Sequence, residues 1–162
     1  MIKNYKELER KIVEMKQKGP DLSTEEDLAI AIMNLVSLEE HFFFTGAKTG
    51  KADYYDLMGE VREMRKSLLG RMIERTEGET WCISKHLLAS TMRLMEVGGK
   101  LRASGKTKEA EETFGFAYKT FNLFFALRLK IMSAPEVIDV AGAEKPMSLD
   151  DIMKGLIDCC KE

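Results

Sequence analysis

Residues 28–38, LAIAIMNLVSL, are apolar on almost every side when wound into a helix, with only Asn34 and Ser37 interrupting. A helix of this kind must be surrounded by other elements, because an apolar surface on all sides has no face to give to water. The segment therefore asks for partners around it, and the remaining sequence supplies them as further helices. Ser23 and Glu26 stand in capping-box spacing ahead of it, which predicts a helix start at that point.

The neighbouring segments each carry one apolar stripe at helical spacing. Before Gly19 and Pro20, the residues Ile2, Tyr5, Leu8, Ile12 and Met15 recur between Lys and Glu. From Asp53 to about Arg75 the inner stripe is Tyr54, Leu57, Met58, Val61, Met64, Leu68 and Met72. A fourth helix is expected from Thr80 to about Ala103, broadly apolar with a narrow wet strip at Lys85, Arg93, Glu96 and Lys100. A fifth, from Thr107 to about Met132, begins polar and becomes strongly apolar near Phe121 to Leu129. Strand alternation and hairpin dipeptides are missing, so the expected fold class is all-α, an antiparallel bundle of about five helices. The expected bundle domain covers 1–132. Residues 133–162 read as a linker followed by a short amphipathic C-terminal helix with the stripe Leu149, Ile152, Met153, Leu156 and Ile157.

Bulk properties narrow the function classes. The 162 residues are enough for one domain that needs neither disulfide nor metal to fold. Twenty-five basic and 27 acidic residues leave a net charge of −2, so no global charge draws the chain to nucleic acid or to an anionic membrane. Cys82, Cys159 and Cys160 are odd in number, two of them adjacent, which fits a reducing compartment and a cytoplasmic protein. The N-terminal segment mixes charge with apolar residues and does not resemble a secretory signal. FNLFFALRLKIM, 121–132, is too short for a membrane span and contains Arg128 and Lys130, so no membrane partner is expected.

Gly46, Gly50 and Lys51 in TGAKTGKAD superficially suggest a phosphate-binding loop. The glycine spacing is one residue short, Ala52 occupies the hydroxyl position, and the preceding segment reads as helix rather than strand. Asp53 and Asp56 would also repel phosphate from the following helix start. The expectation is a loop between helices, with Gly46 ending one helix, Gly50 making the turn and Asp53 capping the next.

Gly98, Leu101, Ala110, Phe114 and Ala117, preceded by Leu94 and Val97, follow the small-and-aromatic order of a helical hairpin. This stretch, 94–122, resembles a single tetratricopeptide unit, in which small residues let two helices approach and the aromatic fills the gap. Leu94 stands where that repeat has Trp and Asn122 where it has its closing Pro, and no second unit lies one repeat length earlier.

Three functional readings follow. The first is a protein–protein interaction or assembly module, with self-association through Phe121, Phe124, Phe125 and Leu129 or through Leu149, Ile152, Met153 and Leu156. Eleven methionines supply adaptable apolar surface for it. The second is a nucleic-acid-associated accessory protein using a basic stripe at Lys48, Lys51, Arg62, Arg65 and Lys66. Glu60, Glu63, Glu74 and Glu77 are interleaved with that stripe, the pattern of a solvated helix face. The third is a metal-dependent activity at Cys82, His86 and His41, since Cys82 and His86 lie one helical turn apart. No Glu-x-x-His pair accompanies them, no arginine precedes either histidine at the spacing helical nucleases use, and no nucleophile–base pattern is present. No cofactor is expected, and catalysis has no sequence signature here.

Overall fold

The computed structural model describes residues 22–75 and 78–131. Among these, four helices and no strand are present: α1 Ser23–Thr49, α2 Asp53–Leu69, α3 Glu79–Ala103 and α4 Thr107–Arg128. The all-α class is as expected. The helix expected over 2–18, and Leu149, Ile152, Met153 and Leu156 of the expected C-terminal helix, lie outside the described residues.

The chain folds as two helical hairpins. In the first, Gly46 near the end of α1 meets Tyr55 near the start of α2, and Glu39 further back meets Arg62 and Arg65 further on, so the two helices are antiparallel. In the second, Gly98 of α3 meets Phe114 of α4, and the Thr91 and Thr120 hydroxyls lie 2.9 Å apart, again an antiparallel pair. Contacts between α1 and α3 join the hairpins. Both connecting loops turn on a left-handed glycine followed by lysine, Gly50 with φ 70° and Gly105 with φ 78°.

The core gathers where the hairpins converge. Ala29, Ile32 and Met33 of α1, Leu69 at the end of α2, Leu88 of α3 and Leu123–Leu127 of α4 close on one another. Met72 and Ile73 belong to the same cluster although they follow α2. The helix expected to run on to Arg75 stops at Leu69, where the Ile73 N–H donates to the Leu69 carbonyl in a turn. Burying two large apolar side chains outweighs continuing a helix whose next residue is Gly70.

Two expectations about the 46–53 loop are corrected. Gly46 does not end α1, which continues to Thr49 and closes on Gly50, whose N–H donates to the Gly46 carbonyl at 2.8 Å. Gly46 is buried because a Cβ there would lie 2.9 Å from the Tyr55 ring. Asp53 is the first helical residue of α2 and not its cap, a position taken by Ala52. Its charge, with that of Asp56, favours the α2 N-terminus electrostatically.

At Gly98 the approach is closer, since a Cβ would stand 2.5 Å from the Phe114 ring. Gly98→Ala gains about 1 kcal/mol of helix propensity and meets about 1–3 kcal/mol of overpacking, so net destabilisation is expected. In a Phe114→Ala background the clash is gone and the same change should stabilise by about 1 kcal/mol. Urea denaturation of the four chains reads this reversal of sign directly.

α1 is also long and apolar enough to cross a membrane by length and composition. The longest apolar stretch thus belongs to α1 and not to 121–132. Its carboxylates bind it to the other helices, Glu25 to Arg128, Glu39 to Arg62 and Arg65, and Glu40 to Arg93.

Candidate interaction groove

An apolar groove of about 460 Å³ opens where α1, α3 and α4 diverge from their common core. Ile30 and Met33 form its α1 wall, Met92 and Met95 its α3 wall, and Phe114 and Phe121 its α4 wall. Its shape follows from local sequence. Gly98 lets the Phe114 ring lie against the α3 backbone, and Ala117 and Thr91 are too small to fill the space beside it. Ile30, Met95 and Phe114 remain 47%, 48% and 39% exposed, so the groove presents apolar surface to solvent.

The polar groups in the groove are occupied within the protein. The Thr91 hydroxyl donates to the Leu87 carbonyl at 2.8 Å and pairs with Thr120. The Asn34 amide donates to the Ile30 carbonyl at 3.0 Å. A ligand of the groove is therefore selected by apolar surface and shape. Three methionines in its walls can re-pack around different occupants.

A second cleft of about 590 Å³ lies between α1 and α3 and is more polar and more open. Ser37, Glu40, His41, Phe44, Lys48 and Arg93 line it, and Arg93 crosses it to pair with Glu40. Lys48 stands in the last turn of α1, where a cation is favoured by the helix dipole.

Buried charge lies elsewhere, between α1 and α2. Glu39 accepts from Arg65 Nε at 2.5 Å and from Arg62 Nε at 2.9 Å, with Arg65 only 5% exposed. Burial is the strongest single influence on the Glu39 carboxyl and would raise its pKa. The hydrogen bonds and charges of the two arginines outweigh it and hold the group below its ordinary 4.5.

The residues proposed for a basic stripe are thus not one surface. Arg65 is buried against Glu39, a correction that follows from the cost of leaving Glu39 unpaired in the α1–α2 interface. Arg62 shares that carboxylate, and Lys66 pairs with Glu63 at 2.6 Å. Lys48 and Lys51 are exposed at the first loop. Lys66 holds the Glu63 carboxyl below the usual range, first through its hydrogen bond and then through its charge.

Among the interaction residues read from the sequence, Phe121 lines the groove, and Leu129 is half-buried just past the end of α4. Phe124 and Phe125 are fully buried in the core, which corrects their assignment to a contact surface. The apolar excess of 121–129 is used by enclosure of the C-terminal half of α4 on all sides. Cys82, His86 and His41 are each exposed on their helices. Among the described residues no group of three or more His, Cys, Asp or Glu could hold a metal, so the structure does not assemble them into a metal centre.

Sequence reasoning missed Ile30, Met33, Met92 and Met95. Each belongs to an apolar stripe, and only the divergence of the helices distinguishes a groove wall from core. The available signal was the small-residue set Gly98, Thr91 and Ala117, which marks where side chains do not fill the helix–helix gap. Comparison of the chain with known protein families, with characterised proteins and with solved structures returned no match.

Proposed function

We propose that this protein is an interaction module whose α1–α3–α4 groove receives an amphipathic helix from a protein partner. The observation that carries the reading is the exposed apolar groove walled by Ile30, Met95 and Phe114, with its internal polar groups already paired. A helix presenting apolar residues at i, i+3, i+4 and i+7 offers surface of the matching kind. Two stacked hairpins with similar glycine–lysine loops, the tetratricopeptide-like sequence of 94–122, and terminal helices completing a five-helix bundle belong to the same proposal. Such a scaffold presents a groove rather than a catalytic centre. The nucleic-acid reading loses support from the pairing of Arg62, Arg65 and Lys66 with carboxylates.

Ile30 and Met95 are about half exposed, so Ile30→Asp with Met95→Asp should leave the fold intact while charging both walls. Protein purified natively from its own cell is expected to carry a stoichiometric partner that mass spectrometry identifies and cross-links to α1 or α3 through an amphipathic segment. The doubly charged chain should lose that partner, and Met64→Asp on the exposed face of α2 should retain it. Equal recovery with all three chains, or no partner with any, overturns the reading.

A further inference from the structure

The groove raises the question of what covers it when no partner is bound. Its apolar walls are contiguous across three helices, and such surface is costly to leave to water. The chain itself carries two candidate covers outside the described residues, the stripe of 2–15 and the stripe of 149–157.

Connection lengths separate these two. The N-terminal stripe joins α1 through the short turn signal at Gly19 and Pro20, which ties it to the beginning of that helix. The C-terminal stripe follows a longer connection that starts after Ile131, just beyond α4. Phe121 and Phe114 lie roughly 15 and 25 Å back from that point at about 1.5 Å per helical residue. Residues 132–147 reach on the order of 50 Å at about 3.3 Å per residue, enough to return the following segment over the groove with slack. Leu149, Ile152, Met153, Leu156 and Ile157 place apolar residues at i, i+3, i+4, i+7 and i+8, with Asp150, Asp151, Lys154 and Asp158 away from them. A flexible tether of this kind holds its end at a local concentration on the order of millimolar, so weak affinity suffices for occupancy.

We infer that the groove is filled at rest by this chain's own C-terminal segment, residues 148–158, which a partner helix must displace. The inference rests on the reading of the groove as a helix acceptor. It makes the tail an intramolecular competitor, so that partner binding is set by the difference between two helices and not by the groove alone.

The full-length chain tests this. With Cys82→Ser and Cys160→Ser, a nitroxide on Cys159 reports proximity to methionine methyl groups observed by NMR. Met92 and Met95 in the groove should lose more than half their signal, while Met58 and Met64 on α2 keep theirs. The loss should persist on tenfold dilution and disappear with Ile152→Asp and Leu156→Asp in the same chain. Intact Met92 and Met95 signals, a loss that those substitutions do not relieve, or a loss seen only between differently labelled chains would overturn the inference; the last outcome assigns the groove to a second copy. A synthetic peptide of residues 147–162 added to the Ile152→Asp, Leu156→Asp chain separates the two readings. If it shifts Met92 and Met95 although the tethered tail left them untouched, the groove still accepts helices and only the resting occupant is wrong. No shift together with no signal loss removes both.

Discussion

Arg65→Ala is expected to destabilise the protein by about 3–5 kcal/mol, because it leaves the Glu39 carboxylate in the α1–α2 interface without its buried partner. For a chain of this size that corresponds to a fall in Tm on the order of 10 °C. Arg62→Ala removes a partner whose side chain is 44% exposed, and the expected cost is under about 1 kcal/mol. Replacing the pair together, with Glu39→Leu and Arg65→Met, should recover most of the loss, since no charge is then stranded. Thermal and urea unfolding of the four chains tests the ordering. Equal effects of Arg62→Ala and Arg65→Ala would refute it.

The same cluster gives an acid-side dependence. Glu39 has a folded pKa below its unfolded value near 4.5, despite the burial that acts in the opposite sense. A depressed carboxyl pKa contributes stability that is fully present above the unfolded value and is lost as pH falls through the folded one. Stability should therefore decline on acidification below about 4.5, partly through this group. In Arg65→Ala that component should shrink, because Arg62 alone then opposes the effect of burial. A stability–pH profile of the two chains checks the difference in slope.

How much of this was legible depended on the range of the interaction involved. The bounds of α3 and the start of α4 follow from local periodicity and from the turn at Gly105, and they agree with the sequence to within a residue. The end of α2 does not, because Met72 and Ile73 leave helical geometry to join a core built from four distant segments. Arg65 resembled every other cation on a mixed-charge helix, and its partner lies 26 residues away on another element. Periodicity assigns a face to a residue but not the residue opposite it. The groove was hidden for the same reason: Met95 and Phe114 each read as ordinary stripe residues, and only the splay of α1 from α4 leaves them uncovered. Gly46 misled in the opposite direction, since a glycine near a helix end serves equally as a terminator or as a site of close packing, and Tyr55 decides between them.

Phe124 and Asn122 put the enclosure of α4 to a test with opposite signs two residues apart. Phe124 is 0% exposed and meets Phe125 edge-on, with ring centroids 5.2 Å apart and planes at 85°. Phe124→Ala should cost about 3–5 kcal/mol through lost burial and the cavity left behind. Asn122 is equally buried, yet neither its side-chain oxygen nor its nitrogen has a hydrogen-bond partner. An unpaired amide in such a site is destabilising by about 1–3 kcal/mol, so Asn122→Leu should raise stability by a similar amount. Urea denaturation repeated over a tenfold range of protein concentration distinguishes core from contact surface. If these residues form the core, both shifts are independent of concentration. A Phe124→Ala chain that kept its stability at low concentration and lost only its association would return Phe124 to an interface, and with it the apolar excess of 121–129 that first suggested one.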